Sequence, residues 1–540
     1  MSASPVTLEV YRHLFAALAE EMGVTLRRTA ISPNITERRD YSCALFDGAG
    51  RMVAQGENIP VHLGSMPASV AAAIAETRME RGDIILLNDP FRGGTHLPDL
   101  PMVAPWFGAD AAAPAFFLAV RAHHADIGGA TPGSMPIAGE LLQEGLVIPP
   151  VHWVRAGVPV TETHRLLLAN VRTPIERTGD LDAQAAALAV GKRRLADLVR
   201  RRGEAEVMAY GQHLLARAER SMRALIASLP DGTYRFEDVM EDDGCGGGPF
   251  PLVVAVTVEE EVARVDFTGT GGPAGGGINA VPAIANSAVY YAFRTLLDAD
   301  APSNAGLYAP LDVIVSSPSL LDPPAGAAVA GGNVETSQRL VDVVLGALAQ
   351  ALPDRVAAAS QGTMNNVAFG GVRPGNGRPF TYYETLAGGH GGRPDGPGMS
   401  ARHSHMTNSL NTPVEAIEHA LPVRVERYAI RHGSGGAGRY PGGAGLVREY
   451  LFLADAELTL ITERRARGPW GLAGGSDGAP GRNTLVRADT DREERLGAKC
   501  RRQMAAGDRL IIETPGGGGW GAGGSHASVR EVMPGLEGAE

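Results

Sequence analysis

Residues 84–99, IILLNDPFRGGTHLPD, place the densest cluster of polar side chains in the chain directly after an apolar run. The run at 84–87 is short, uninterrupted and followed by turn-forming residues, which is typical of a buried strand. Binding groups commonly lie where a strand ends in a loop. Pro98 disfavours a regular helix through His96 and Asp99, so the stretch predicts a strand and then a rigid turn that carries both side chains.

A second cluster of the same kind follows the apolar run at 116–122. It contains His123, His124 and Asp126. Imidazole and carboxylate together suit Mn, Zn or Fe(II), and a set that leaves coordination positions open is typical of a catalytic site. Strand alternation would place His124 and Asp126 on one face and His123 on the other, but it does not choose the ligand if the strand ends before them. Each cluster by itself is also explained as a hydrogen-bonded turn.

Periodicity over the rest of the chain predicts an α+β protein. Apolar spacing predicts an amphipathic helix over 7–30, and Asp47-Gly48 predicts a hairpin. A further helix is expected over 65–78, with Ser65 as its N-cap.

The segments that follow suggest a multi-lobed single chain. The predicted divisions are a mixed α/β lobe with the proposed metal site (1–178), a long helical segment (179–230), a central α+β lobe (231–412), a β-rich C-terminal lobe (413–522) and a flexible tail (523–540).

Composition narrows the class of partner. The formal net charge of -11 disfavours a general nucleic-acid or anionic-membrane surface, and no apolar run approaches the roughly 18 residues that span a bilayer. The start of the sequence lacks the features of a cleavable leader, so we expect a cytoplasmic protein. The two lysines, Lys192 and Lys499, do not follow a glycine-rich loop in the way that a P-loop requires, so ATP is not expected in a P-loop of this chain.

Several motifs, in order, resemble the hydantoinase B/oxoprolinase family. They are RRTAISPNITERRDYSCALFD (27–47), GDIILLNDPFRGGTHLPDLPMVAP (82–105), AHHADIGG (122–129) followed by PGSMP (132–136), HMTNSLNTPVE (405–415) and SGGAGRYPGGAG (434–445). The family includes the B-type chains of ATP-dependent N-methylhydantoinases, the C-terminal portion of 5-oxoprolinases, caprolactamase, and subunits of acetone and acetophenone carboxylases.

The resemblance implies a divalent metal, Mn, Zn or Fe, with Asp40, His96, Asp99 and His123 as ligands. Without it, Asp40 would be interpreted as a salt-bridge partner of Arg38 or Arg39. The glycine pairs Gly93-Gly94 and Gly128-Gly129 flank these ligands, where small residues would let the backbone approach a metal-bound substrate.

Other motif residues are candidates for catalysis and for substrate binding. His124 and Asp126 would orient a ligand or assist proton transfer. Asn333, Glu335 and Glu384 are candidates for substrate binding, although capping of the following helix by Thr336 or Ser337 also explains the 331–337 segment.

The resemblance also implies a function. We expect the metal-bearing B-type subunit of an ATP-dependent cyclic amidase, which opens a hydantoin, 5-oxoproline or related lactam ring in a hetero-oligomer. ATP would bind to a separate A-type subunit of the actin and sugar-kinase fold. The alternatives are a subunit of an ATP-dependent ketone carboxylase and a non-catalytic scaffold of such a complex.

Overall fold

Twenty strands form four sheets in the residues that the computed structural model describes, which are 4–56, 59–109, 111–298, 300–490 and 492–523. Helices α1 to α10 are Pro5–Thr29, Pro33–Thr36, His62–Glu76, Thr161–Ala169, Pro174–Arg202, Glu204–Ala227, Pro282–Arg294, Ala305–Tyr308, Ser337–Ala351 and Val414–Ala420. Strands β1 to β20 are Tyr41–Asp47, Met52–Gln55, Ile84–Leu86, Asp99–Trp106, Phe116–His123, Val151–Arg155, Val158–Pro159, Gly232–Met240, Phe250–Glu259, Val262–Asp266, Leu311–Ile314, Asn366–Val372, Pro379–Thr385, Val423–Arg431, Gly445–Phe452, Ala456–Ile461, Arg482–Val486, Glu493–Leu496, Lys499–Met504 and Arg509–Glu513. Helices and strands are interspersed along the chain, and the strands form several sheets, so the predicted α+β class is confirmed.

The N-terminal sheet positions the two polar clusters. Its strand order is β2-β1-β5-β4-β3-β6-β7, and neighbouring strands are antiparallel. Every residue of β1 and β5 is buried, so both faces of the sheet are covered at its centre. Helices α1 and α5 pack against β1 and β5, and α3 packs against β4 and β5. The centre of the sheet is therefore a rigid and enclosed support.

The first helices follow the sequence patterns with one correction. The predicted helix over 7–30 is confirmed as α1, which buries Leu8, Tyr11 and Phe15 along one side. The hairpin at Asp47 is confirmed by the antiparallel pairing of β1 with β2. Ser65 is not an N-cap: α3 begins at His62, and the Ser65 hydroxyl donates to the Val61 carbonyl. The expected cap was wrong because the hydroxyl bonds back along the helix, not to the backbone N–H groups that follow it.

The remaining sheets join distant parts of the chain. One has the order β11-β10-β9-β8, another β13-β12-β16-β19 and the last β14-β15-β20-β17-β18. β12 pairs with both β13 and β16, so this sheet combines strands from each side of the predicted division at 412/413. α5 likewise runs through the predicted division at 178/179. The lobe divisions remain predictions, and the predicted tail lies outside the described residues from 524 onward.

Among the described helices, none combines the length and the apolar character that crossing a lipid bilayer requires.

A buried carboxyl joins the N-terminal region to the central one. Glu144 accepts hydrogen bonds from the backbone N–H groups of Val329 and Ala330, both at 2.9 Å. Its other oxygen, Oε2, has no hydrogen-bond partner among the described residues. Burial raises the pKa of Glu144 to about 8, so the side chain keeps its proton at neutral pH.

Glu144→Gln should stabilise the protein increasingly between pH 5 and pH 8. The unfolded chain ionises Glu144 near its ordinary pKa while the folded chain stays protonated, so the wild-type protein loses stability as pH rises through this window. The glutamine does not titrate, and the difference in free energy of unfolding should grow by at most about 1.4 kcal/mol per pH unit. Urea unfolding at several pH values measures it, with the exposed neighbour Glu140→Gln as the control. A difference that stays constant with pH would contradict this account.

Candidate metal centre

The pairing of β4 with β5 brings the two polar clusters together. Asp99 begins β4, His123 ends β5, and the two residues are direct cross-strand partners. His96 lies in the loop just before β4. All three side chains are buried, and each offers a ligand atom within 4.8 Å of the others. His123 Nδ1 lies 3.2 Å from Asp99 Oδ1 and 3.2 Å from His96 Nε2.

The loop that carries His96 is fixed by its own side chains. The Asn88 amide donates to the carbonyls of Leu97 and Leu146, both at 2.9 Å. Gly94 packs so closely that a Cβ there would lie 2.2 Å from the Asn88 carbonyl oxygen. The close approach at Gly94 is to the loop's own backbone, and the expected approach of Gly93-Gly94 to a metal-bound substrate stays a prediction. The contact at Gly94 serves to hold the loop that presents His96.

Asp99 is held as a carboxylate. Its Oδ2 accepts a hydrogen bond from Arg121 Nε at 2.8 Å and lies 3.3 Å from His62 Nε2. Burial opposes ionisation of Asp99, but the positive charge of Arg121 and the hydrogen bonds with His123 and His62 hold its pKa well below the usual range. Arg121 and His62 were not among the residues predicted from the sequence.

The donor atoms fit a divalent metal. Burial lowers the pKa of His96 to about 3, which keeps the imidazole in the neutral form that a metal requires. His96 Nδ1 and His123 Nε2 are buried without a hydrogen-bond partner among the described residues. Neighbouring ligands each about 2.0–2.2 Å from an ion lie roughly 3–3.5 Å apart, in the range of the distances around His123 Nδ1. Two imidazoles and a carboxylate, with no thiolate, are donors for Mn, Zn or Fe(II).

Asp40 lies at the edge of this cluster. Tyr41, which follows it, pairs with Ala122 on β5, and the Asp40 carbonyl accepts the His123 N–H at 3.0 Å. Its carboxylate Oδ2 is 3.5 Å from Arg38 Nη2 and 14% of the side chain is exposed, so the salt bridge expected as the alternative is present. Asp40 is not one of the three residues that already lie within ligand distance of one another. Its role as a ligand remains a prediction.

The side chain of His124 contacts α5, and that of Asp126 contacts the residues just before α5. His124 Nε2 lies 2.8 Å from the Gln184 side-chain oxygen. Asp126 accepts hydrogen bonds from the backbone N–H groups of Arg172 and Thr173, just before α5 begins. β5 ends at His123. His124 and Asp126 follow the strand, and their partners lie on or just before α5, away from His123. Neither belongs to the cluster, and their catalytic role remains a prediction.

A chain of contacts links the cluster to Glu335. The Tyr383 ring stacks on His123 with centroids 4.3 Å apart. The Tyr383 hydroxyl donates to Asn366 Oδ1 at 2.7 Å, and the Asn366 amide donates to Glu335 Oε1 at 2.6 Å. Burial raises the pKa of Glu335 to about 8. Glu335 is therefore a protonated carboxyl two hydrogen bonds away from the ring that covers His123.

The other predicted substrate residues lie in different surroundings. Asn333 is buried and its Oδ1 has no hydrogen-bond partner among the described residues. Glu384, next to Tyr383 on β13, accepts the Tyr450 hydroxyl at 2.8 Å and the Thr412 N–H at 2.6 Å. Alternation along β13 thus turns Glu384 away from the side that Tyr383 presents to His123.

The capping expected for the 331–337 segment does not form. The Thr336 hydroxyl donates to the Ile278 carbonyl, and the Ser337 hydroxyl donates to the Asn333 carbonyl. Gly332–Thr336 forms a π-helical turn that continues directly into α9. Such turns widen a helix locally and are frequent at functional sites, and here the turn contains both Asn333 and Glu335.

A cavity of about 530 Å³ lies elsewhere in the molecule. Its lining includes Arg12, Phe15, Leu63, Tyr291 and Asn304. It does not include His96, Asp99 or His123. The case for chemistry at the cluster therefore comes from its donor atoms and not from the size of a cavity.

A buried group of two imidazoles and one carboxylate, such as His96, Asp99 and His123, is a set of side chains that could hold a metal ion. The family model described as hydantoinase B/oxoprolinase matches residues 4–523. The chain belongs to the hydantoinase B/oxoprolinase family.

Individual relatives agree with this assignment. The chain is 37% identical to 5-oxoprolinase 1 of Arabidopsis thaliana over 96% of its own length, and it spans 42% of that protein. It is 31% identical to a protein of Pseudomonas sp. (strain NS671) named as the B component of a D-/L-hydantoinase, covering 96% of this chain and 90% of that one. The solved ATP-dependent caprolactamase from Pseudomonas jessenii is 30% identical and superposes with a TM-score of 0.90, covering 97% of this chain and 92% of that one.

Replacement of His123 should abolish metal binding, whereas replacement of His124 should preserve it. His123→Ala, His96→Ala and Asp99→Ala each remove one of the three converging donors, and His124→Ala removes a side chain that faces α5. Metal content of the purified variants, measured by mass spectrometry after loading with Mn²⁺ or Zn²⁺, tests the assignment. Full metal content in His96→Ala and Asp99→Ala, or loss in His124→Ala with retention in His123→Ala, would overturn it.

Proposed function

We propose that the chain is the metal-bearing B-type subunit of an ATP-dependent cyclic amidase. The substrate class is a hydantoin, 5-oxoproline or related lactam ring. The observation that carries the proposal is the convergence of His96, Asp99 and His123 in the buried end of the N-terminal sheet. A pure scaffold has no need for such a set, and relatives named for 5-oxoproline, hydantoin and caprolactam chemistry support the substrate class.

The residues around the cluster prepare it for a cation. A bound divalent metal would supply Lewis acidity, which polarises the amide carbonyl and lowers the pKa of water. Arg121 and His62 keep Asp99 ionised and fix its orientation. Burial keeps His96 neutral and excludes bulk water from the donors. The Tyr383 ring covers one face of His123 and limits the positions that this imidazole can take.

Glu335 is the group best suited to give a proton to a leaving nitrogen. Its carboxyl keeps a proton up to about pH 8 because it is buried. Asn366 and the Met364 N–H, at 2.6 Å and 3.0 Å, fix one of its oxygens. Asn333 lies in the same π-helical turn with a buried Oδ1 that is left for a ligand. Glu335 would thus act in catalysis, and Asn333 would bind the ring.

His124 and Asp126 would act through structure. By binding Gln184 and the residues before α5, they fix the end of β5 and so the position of His123. Their contribution to the reaction is positioning, and it replaces proton transfer as the role we propose for them.

ATP would be bound by a separate A-type subunit of the actin and sugar-kinase fold. The chain covers nine-tenths of the relative that is named as a hydantoinase B component, but only about two-fifths of a 5-oxoprolinase. This pattern of coverage fits one subunit of a larger complex. In that hetero-oligomer the A-type subunit would phosphorylate the ring oxygen, and the metal-bearing chain would complete ring opening.

Coexpression with an A-type subunit should give ATP-dependent opening of a cyclic amide. Hydantoins, 5-oxoproline, lactams and aromatic ketones are supplied in parallel, and ring opening and ADP release are measured. We expect turnover of at least one cyclic amide that requires ATP and both chains. Consumption of the ketone alone, with dependence on bicarbonate, would show a carboxylase in place of an amidase. Full activity of this chain alone without ATP would contradict the two-subunit arrangement.

Glu335→Gln should lower kcat about 10²-fold, the usual worth of a positioned proton donor, with metal content unchanged. In the wild-type enzyme the rate should fall as pH rises through about 8, because Glu335 then loses its proton. The variant should lack that fall. Glu144→Gln is a matched control, since Glu144 is also buried with a pKa of about 8 but contacts Val329 and Ala330. A Glu335→Gln enzyme with wild-type kcat and pH profile would rule out the proton-donor role.

A further inference from the structure

Asp99 presents its two oxygens to different surroundings. Oδ2 accepts Arg121 Nε at 2.8 Å and faces His62 Nε2 at 3.3 Å. Oδ1 faces His123 Nδ1 at 3.2 Å. Oδ2 also lies 3.6 Å from His96 Nδ1, so Arg121, His62 and His96 surround one oxygen, while the other faces His123.

His62 has its own partner on the far side of its ring. His62 Nδ1 lies 2.8 Å from the Ser42 hydroxyl, and both side chains are buried. The Ser42 oxygen accepts the Ile59 backbone N–H at 3.4 Å. The ionised Asp99 carboxylate can only accept, so His62 Nε2 carries the ring proton that faces it, and the neutral ring accepts the Ser42 hydroxyl proton at Nδ1. This tautomer is the one that donates to Asp99.

We propose that Ser42 and His62 are positioning residues that lock the Asp99 carboxylate, so that Oδ1 alone is presented to a bound cation. The inference rests on the proposed metal site. It assigns a role to two residues on different elements, His62 at the start of α3, which contacts Asp99 on β4, and Ser42 on β1, which contacts His62. Without the donor at His62 Nε2, Arg121 still holds Oδ2, but the plane of the carboxylate is less firmly fixed and Oδ2 competes more readily with Oδ1 for the ion.

The burial of Asp99 gives a physical reason for its contact with His62. A buried carboxylate needs donors to remain ionised, and Arg121 supplies one of them. Arg121 approaches from the neighbouring strand β5, while His62 approaches from a helix that packs across the sheet. Two donors from two directions fix the plane of the carboxylate, which a single donor does not do. Partners of this kind typically change metal affinity 10–100-fold when they are removed.

Titration of the metal-free intact chain with Mn²⁺ alone, followed by calorimetry, tests the proposal. His62→Ala should weaken Mn²⁺ binding 10–100-fold, because Asp99 loses the donor that fixes Oδ2. His62→Gln should recover most of the affinity, since its amide nitrogen can donate to the same oxygen. Ser42→Ala should weaken binding less than His62→Ala, because the imidazole remains but its tautomer is no longer set. Ser42→Thr, which keeps the hydroxyl, should restore binding.

A spectroscopic readout separates positioning from a general loss of structure. Co²⁺ loaded into each variant should give a visible absorption spectrum that differs from the wild type in His62→Ala and resembles it in His62→Gln and Ser42→Thr. His419→Ala, at an exposed position of α10, is the matched control and should leave both the affinity and the spectrum unchanged. If His62→Ala does not fold, the comparison of Ser42→Ala with Ser42→Thr tests the proposal.

The outcomes distinguish this inference from the proposed function. If the wild-type chain binds neither Mn²⁺ nor Co²⁺, the metal site itself is refuted. If the wild type binds, and Ser42→Ala and any folded His62→Ala bind with unchanged affinity and an unchanged Co²⁺ spectrum, the positioning role is overturned while the metal site stands.

Discussion

The register between β4 and β5 is the constraint on which the site depends. It sets Asp99 directly opposite His123, and the adjoining strand β1 brings Asp40 to the same end of the sheet. A shift of one residue would turn Asp99 to the other face of the sheet. The fully buried strands at the centre of the sheet fix this register, because a shift would remove every side chain of these strands from its packing contacts. The chemistry is therefore a consequence of how the core packs.

Burial at this position has a cost that nearby groups offset. A lone buried carboxylate would be strongly destabilising, but Asp99 is paired with Arg121 and oriented by His62. The second half of the chain contributes as well, since Tyr383 from another sheet stacks on His123 and connects it through Asn366 to Glu335. The cluster thus lies where the N-terminal sheet meets strands from residues 366–385, and side chains from both regions pack around its donor atoms.

Sequence patterns were sufficient for the residues that follow apolar strands, and insufficient for those that approach from elsewhere. His96, Asp99 and the pair His123-His124 were candidates because they follow apolar strands among turn residues, and the family resemblance then selected His123 over His124. His62 was missed because it is a single histidine in what was expected to be the loop before a helix, and that helix begins three residues earlier than expected. Tyr383 and Asn366 are separated from His123 by more than two hundred residues, and no local pattern encodes their contact. Asp40 was proposed only through the family resemblance, because a local salt bridge explains it equally well.

The most direct test of the metal centre is anomalous diffraction from crystals of the intact chain grown with Mn²⁺. Data collected where Mn²⁺ scatters anomalously locate the ion without reference to activity or to a partner protein. We expect one strong anomalous peak between His96, Asp99 and His123, with bonds of roughly 2.0–2.3 Å to their nitrogen and oxygen atoms. A peak at a different place in the chain, or none while the three side chains hydrogen-bond only to one another, would contradict it.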